Sequence, residues 1–269
     1  MLLREVGYAR PQSVDEALRL LGELEGSRAL AGGQTLINVM KARAASPDAL
    51  VDLNRIAELK GVERTAGGGV SIGAMTTYTE LMRAEAAAAR PILAEVCAQI
   101  ADVQVRNRGT IGGNVCSNDP TNHLPPLMAA LGAQMTIVGP DGERTVPAEE
   151  FFLGVYMTAV APGELLTRIE VPAGRADGFA AVTIGRDGTC IVNAAASLEG
   201  EPCVALGCVD AVPVLIRPGS TDPAAIEQAV RDENLDPPSD VHASADYRRR
   251  LAEVVAARAV AQASERARS

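Results

Sequence analysis

Apolar residues recur along this chain in alternating helical and extended rhythms, most of them punctuated by Gly or Pro. After an extended lead-in ending at Pro11, Ser13 and Glu16 stand at the capping-box spacing, and Val14, Leu18 and Leu21 share one face of the helix that follows. Residues 28–31 predict a short strand that runs into Gly32-Gly33, and residues 36–40 start a second helix. Strands are expected at 49–53 and 69–74. Thr77 and Glu80 repeat the capping-box spacing, and beyond Pro91 the apolar residues Ile92, Val96 and Ile100 return every fourth position, with Leu93 and Cys97 beside them. The run 124–131 reads as an apolar helix, 135–138 as a strand, Asp141-Gly142 as a hairpin turn, and 165–171 as a strand closed by Pro172. Past that proline the pattern changes. Strands near 179–185, 190–198 and 203–209 are followed by helices near 223–231 and 245–263, the last presenting Tyr247, Leu251, Val254 and Val255 on one side. Strands followed by helices predict a separate α+β layer, so the expected division is 1–172 and 173–269.

Two glycine doublets interrupt this pattern. The first lies in Ala31-Gly32-Gly33-Gln34-Thr35-Leu36, at a strand-to-helix turn. The second, with the sharper signal, lies in Thr110-Ile111-Gly112-Gly113-Asn114, followed by Asp119-Pro120. Each puts residues without Cβ beside hydroxyl or amide side chains, so that backbone N–H groups can surround an anion without steric cost, and a helix start adds partial positive charge. Together they point to a diphosphate held from two sides. The plain alternative is that Gly32-Gly33 only makes a tight turn. Neither stretch has the spacing of the phosphate loop that ends Gly-Lys-Ser/Thr or of the three-glycine dinucleotide fingerprint.

Composition narrows the classes. With 269 residues, 47% apolar and 22% charged, the chain can bury a full core, and its net charge of -9 leaves no basic excess for nonspecific nucleic-acid binding. Lys41 and Lys60 are the only lysines, and the run Arg248, Arg249, Arg250 reads as a solvated helix face. No uncharged apolar run reaches a membrane-spanning length and no leader pattern opens the chain, so the cytoplasm is the expected compartment. Five scattered cysteines, at 97, 116, 190, 203 and 208, read as reduced and structural. Cys203 and Cys208 have the spacing of the first two ligands of a plant-type iron-sulfur loop, but Ala211 stands where the next is needed.

The glycine loops, together with Tyr8-Ala-Arg-Pro, Glu16-Ala-Leu, Arg106-Asn-Arg-Gly, Phe152-Leu-Gly, Pro162-Gly-Glu-Leu-Leu and Ser244-Ala-Asp-Tyr-Arg, run almost end to end in the order found in one family. The sequence resembles the FAD-binding medium subunit of the molybdenum hydroxylases, the xanthine dehydrogenase and aerobic carbon monoxide dehydrogenase type. The resemblance implies an α+β fold: an FAD-binding domain of the p-cresol methylhydroxylase type with two subdomains, then a small C-terminal domain with an antiparallel sheet and helices. It further implies that Ala31, Gly32, Gly33, Gln34, Thr35 and Leu36, with Thr110, Ile111, Gly112, Gly113 and Asn114, hold the FAD pyrophosphate. Asp119 and His123 would face the ribitol, ribose or diphosphate region, and Leu166 would pack on the flavin or adenine. For Asp119 the alternative is an Asx-turn into Pro120, and for Leu166 a core strand position.

By the same resemblance the chain is an electron relay. A small partner subunit carries iron-sulfur clusters, a large one carries the molybdenum cofactor, and FAD on this chain passes electrons to an external acceptor such as NAD, oxygen or a quinone. The absence of a cluster-binding cysteine set here agrees with that division. Two departures from the family pattern stand out. His123 occupies the second acidic position of Asp-Pro-x-x-Asp, where it serves as a hydrogen-bonding group or as a proton donor. The usual basic cluster is reduced to Thr183-Ile184-Gly185-Arg186. A free-standing FAD-dependent oxidoreductase and a non-catalytic nucleotide-binding or scaffold subunit are the rival readings. The former often tethers flavin through a His in the first glycine loop, where this chain has Gln34.

Overall fold

A computed structural model describes residues 3–185 and 188–268; Arg186, the one cation of the reduced basic cluster, lies outside them. The chain begins with β1 (Gly7–Ala9), α1 (Val14–Glu23), β2 (Ser27–Leu30), α2 (Leu36–Lys41) and β3 (Ala49–Asp52). The three strands form a parallel sheet in the order β1-β3-β2, which the α1 and α2 crossovers make possible. Ser13 caps α1 by accepting from the Glu16 N–H at 3.2 Å, while the Glu16 carboxylate reaches one residue beyond the usual box, to the Gln12 N–H at 2.9 Å. Ala17, Val51, Leu53, Ile56, Leu59, Met75 and Leu165 fill the core of this layer.

The middle of the chain runs through β4 (Val62–Arg64), β5 (Val70–Gly73), α3 (Tyr78–Arg83), α4 (Ile92–Gln99), α5 (Val103–Arg106), α6 (Ile111–Ser117) and α7 (Leu124–Ala130). It continues as β6 (Gln134–Gly139), β7 (Gly142–Pro147), α8 (Ala148–Phe151), the short hairpin β8 (Phe152–Gly154) and β9 (Met157–Thr158), and β10 (Leu165–Val171). The strands make an antiparallel sheet in the order β4-β5-β10-β6-β7. Thr77 and Glu80 form both halves of the capping box of α3. On α4 the expected face is buried through Ile92, Leu93, Val96 and Cys97, and Ile100 is the residue on which the helix ends. The β6–β7 turn is centred on Pro140-Asp141, one residue earlier than the sequence implies, with Gly142 at φ 109° opening β7.

The last part comprises β11 (Asp177–Thr183), β12 (Cys190–Ser197), β13 (Cys203–Gly207), β14 (Val214–Ile216), α9 (Pro223–Asp232) and α10 (Ala245–Arg266). Its four strands form an antiparallel sheet in sequence order. One face of that sheet, through Phe179, Ala195 and Ala205, joins the core that also holds Leu124, Leu127 and Met128 of α7. The other face, through Val192, Ala194, Val204 and Leu206, packs on α10. The architecture is α+β, as expected.

Two expectations for α10 hold only in part. Its buried stripe is Ala252, Val255, Ala256, Ala259, Val260 and Ala263, so of the expected face Val255 is buried and Leu251 packs against the stripe, while Tyr247 is half exposed. Small residues let the helix lie close on the sheet, so the buried face carries little of the bulk by which sequence patterning finds it. The arginine run is not all solvated either. Arg248 is buried, bonding to the Ile191 carbonyl and to Asp240 Oδ2, the latter at 2.6 Å. Among the described residues no helix is long and apolar enough to cross a membrane, and no cluster of His, Cys, Asp or Glu is placed to hold a metal ion.

Candidate cofactor site

At the end of β2 four successive carbonyls, those of residues 31–34, are each taken by a donor of the protein. The Ala31 carbonyl accepts from Asn54 Nδ2 at 3.0 Å and the Gly32 carbonyl from Gln34 Nε2 at 3.2 Å. The Gly33 carbonyl accepts from the Ile37 N–H at 3.2 Å, and the Gln34 carbonyl from Asn38 Nδ2 at 2.7 Å. A trans peptide points its N–H opposite its C=O, so four pinned carbonyls leave the next four N–H groups facing away from those donors. These are the N–H groups of Gly32, Gly33, Gln34 and Thr35, and none of them donates a hydrogen bond among the described residues. Gly33 sits at φ 73°, a left-handed conformation that glycine adopts without strain and that anion-binding backbone nests use.

The second glycine stretch is built differently. Its three leading N–H groups are already used: Ile111 donates to the Thr76 carbonyl at 2.9 Å, Gly112 to the Ala74 carbonyl at 2.8 Å, and Gly113 to Thr110 Oγ1 at 3.0 Å. Thr110 thereby caps α6, and the glycines serve close packing. A Cβ on Gly112 would stand 2.6 Å from both the Cβ and the carbonyl oxygen of Ala74. The two stretches are in direct contact. A Cβ on Gly32 would run into the Arg108 carbonyl and the Gly109 backbone, and one on Gly113 would lie 3.4 Å from Ala31 Cβ. The sequence places the sharper anion signal on the second stretch; the open donors are on the first, and the second is the wall against which it is set.

Asn114 adds one polar group to that wall. Its amide shares a hydrogen bond of 2.9 Å with the buried Tyr78 hydroxyl, whose pKa is raised by burial. The amide nitrogen is the donor in that bond; its oxygen, Oδ1, is buried without a partner, as is Ser117 Oγ. A buried polar group left unpaired is costly, and a bound polar ligand removes that cost. Leu36 and Thr35 begin α2 without a side-chain cap. Open donors in a row and the absence of a Cβ between the two stretches fit a diphosphate ester, while the unpaired Asn114 oxygen is an acceptor suited to a ligand hydroxyl or N–H.

Of the remaining candidates Asp119 and His123 closely follow the second stretch and Leu166 lies far along the chain on β10; the three have different surroundings. Asp119 makes the Asx-turn, its Oδ1 accepting from the Thr121 N–H at 2.9 Å and hydroxyl at 2.7 Å, and its Oδ2 takes the Tyr156 hydroxyl at 3.1 Å from the β8–β9 hairpin. Leu166 is a buried position on β10 within the main core. His123 precedes α7 and turns to the C-terminal sheet. Its ring centroid lies 5.1 Å from that of Phe179, and its Nδ1 is 3.2 Å from Asn193 Nδ2. Because an amide nitrogen can only donate, Nδ1 is the acceptor in this contact. The same amide nitrogen reaches the Asn122 carbonyl at 3.3 Å, Cys190 Sγ at 3.4 Å and Cys208 Sγ at 3.9 Å.

Sequence reasoning missed Asn38, Asn54 and this cluster. Asp52-Leu53-Asn54 carries an Asx-turn signal, and Asn193 is a lone amide inside an apolar strand run, which requires a buried partner.

A family model described as the FAD binding domain in molybdopterin dehydrogenase matches residues 4–174. The carbon monoxide dehydrogenase medium chain of Afipia carboxidovorans is 39% identical, over 97% of this chain and 98% of its own length. The glyceraldehyde dehydrogenase medium chain of Sulfolobus acidocaldarius is 35% identical, over 95% and 97% respectively. A solved chain of carbon monoxide dehydrogenase from Hydrogenophaga pseudoflava superposes with a TM-score of 0.93 at 35% identity, covering 99% of each chain. The chain belongs to this family, the FAD-binding medium chains of the molybdenum hydroxylases, and FAD is its cofactor.

Proposed function

We propose that the chain works as the electron-transfer subunit of a molybdenum hydroxylase complex, taking electrons from a small iron-sulfur subunit and passing them to an external acceptor such as NAD, oxygen or a quinone. The large subunit of that complex carries the molybdenum cofactor and the substrate, and the assembly works in the cytoplasm. Residues 1–172 form the FAD-binding domain and 173–269 a C-terminal domain packed behind it. The observation that carries the reading is the run of four N–H groups from Gly32 to Thr35 that have no acceptor among the described residues, set against a second glycine stretch. Bound FAD supplies a redox centre able to accept and release electrons singly or in pairs.

Within this reading Ala31, Gly32, Gly33, Gln34, Thr35 and Leu36 make the direct contacts to the diphosphate, chiefly through backbone donors. Thr110, Ile111, Gly112 and Gly113 hold the opposing wall, and Asn114 offers its unpaired amide oxygen as an acceptor to a hydroxyl of the cofactor rather than to the diphosphate. Asp119, held on its Asx-turn, would be the contact farther along the cofactor, with His123 and Leu166 backing that side from buried positions. His123 acts there by position, since its Nδ1 is already an acceptor for Asn193. Substituting Gly33 by Val places a branched side chain where φ is 73° and spoils the nest, so Gly33→Val is expected to lose FAD while the wild-type chain purifies yellow and releases FAD. Full flavin occupancy in that variant would overturn the placement. Reduction of the bound flavin by the partner subunits, and by no simple organic substrate, is the expected behaviour of a relay; direct reduction by such a substrate would make the chain an oxidoreductase in its own right.

A further inference from the structure

The row of open N–H groups holds its direction only while its carbonyls are pinned, and the first of them is pinned from outside the loop. Asn54 belongs to the turn after β3, and its amide nitrogen spends one hydrogen on the Ala31 carbonyl at 3.0 Å and the other on Asp52 Oδ1 at 2.7 Å. Asp52 Oδ1 also accepts the Asn54 N–H at 2.9 Å, which fixes the side chain against its own backbone. The second oxygen of Asp52 accepts the hydroxyl of Tyr8 on β1, and Arg10 Nε stands 3.5 Å from it. Burial pushes the Asp52 carboxyl up, but the hydrogen bonds from Tyr8 and Asn54 outweigh it and hold the group below the usual range. A chain of contacts thus runs from Tyr8 through Asp52 and Asn54 to the peptide that carries the Gly32 N–H.

We propose that Asn54, braced by Asp52 and Tyr8, is a positioning residue for FAD: it fixes the Ala31–Gly32 peptide so that the Gly32 N–H faces the diphosphate. The inference rests on the assignment of the first glycine loop to the FAD diphosphate. Asn54 touches no part of the cofactor in this role. It preorganises one donor of the row, and without it that peptide can rotate and turn its carbonyl, which repels a phosphate, toward the site. Asn38 does the same for the Gln34–Thr35 peptide at the far end of the row, from within α2.

The test uses the full chain stripped of flavin and titrated with FAD, with ADP as a competitor that carries the diphosphate but no flavin. Asn54→Ala is expected to weaken FAD and ADP by the same factor of about tenfold, the size of one well-placed hydrogen bond to a charged group. The midpoint potential of the flavin still bound should stay where it is in the wild type, because the ring is not what the loop holds. Tyr8→Phe, which removes only one hydroxyl from an exposed side chain, should weaken FAD about threefold in the wild type and by nothing further once Asn54 is Ala, since the two act through one path. That variant keeps the test alive if Asn54→Ala folds poorly. FAD affinity within twofold of the wild type in Asn54→Ala, or additive effects of the two substitutions, would overturn the positioning role. Gly33→Val separates the two levels: if it loses FAD while Asn54→Ala does not, the site stands and the brace is wrong, whereas full FAD binding by Gly33→Val removes the site itself.

Discussion

Asn193 interrupts an apolar strand, and its amide nitrogen is where the His123 ring, two cysteine sulfurs and a backbone carbonyl converge. Such a group is affordable in a core only when partnered, and here the partners are themselves titratable. A hydrogen bond shared with Cys208 pulls the Cys190 thiol down to about 5, with His123 and Asn193 adding to it against the opposing effect of burial. Cys208, on the other side of the shared proton, is pushed upward. Cys97 and Cys116 are pushed up to about 12 by burial alone. The folded chain is therefore expected to show the ultraviolet absorbance of one thiolate at neutral pH, lost as pH falls through about 5 and missing in Cys190→Ser. Between about 5 and about 9 the unfolded chain holds a proton that Cys190 has released in the fold, so this group adds stability as pH rises across that window. A thiolate signal that survives Cys190→Ser, or none at neutral pH, would show that the cluster is arranged otherwise.

At the scale of elements the two glycine stretches divide the work between them. The α2 loop leaves its donors open, whereas the start of α6 is sewn to the Ala74 and Thr76 carbonyls. Gly112→Ala should accordingly behave as a packing defect. Overfilling the contact with Ala74 is expected to cost about 2 kcal/mol, seen as a Tm lower by roughly 4–8 °C, with FAD still binding when the chain is folded. Gly33→Val should do the reverse, sparing the fold more than the cofactor. Equal losses of FAD at unchanged Tm would make both loops direct ligands. Much of this was legible beforehand where a local rule decides it. Ser13 and Thr77 cap helices as their spacing says, and β10 occupies the residues its pattern and Pro172 predict. What was not legible depends on partners distant in sequence. Nothing within residues 109–114 tells that their N–H groups find Ala74 and Thr76, and two glycines hide the helix they begin, because glycine carries a poor helix propensity. Most of the buried face of α10 escaped for a related reason: its alanines count for little in a hydrophobic pattern until a sheet is known to lie against them.

For the whole molecule the question is what keeps the C-terminal sheet fixed against the part that holds the cofactor. Apolar contact between α7 and the sheet supplies area but little direction, because buried hydrophobic surface is non-directional. Direction comes from Arg90, which stands just before α4 and is 1% exposed. Its Nε and NH2 bind the two oxygens of Asp177 on β11, each at 2.6 Å, and NH2 also reaches Ser197 Oγ on β12 at 2.9 Å. Its NH1 takes the Pro172 and Ala173 carbonyls, both at 3.0 Å, on the stretch where the chain passes from β10 to β11. All five guanidinium hydrogens are thus used across the junction, in a fork that lysine cannot reproduce. Arg90→Met is expected to destabilise the chain by ~3–5 kcal/mol, chiefly by leaving the Asp177 carboxylate buried without its counter-charge. Arg90→Lys should recover only part of that, and Arg90→Met with Asp177→Leu should recover more, since the stranded charge is gone. Denaturant unfolding of the four chains decides it. A loss below about 1 kcal/mol in Arg90→Met would mean that water or a neighbouring donor reaches Asp177, and that shape alone sets the junction. A full loss that the double variant does not relieve would place the cost in the Pro172, Ala173 and Ser197 acceptors, and the crossing strand, more than the ion pair, would be what the arginine holds.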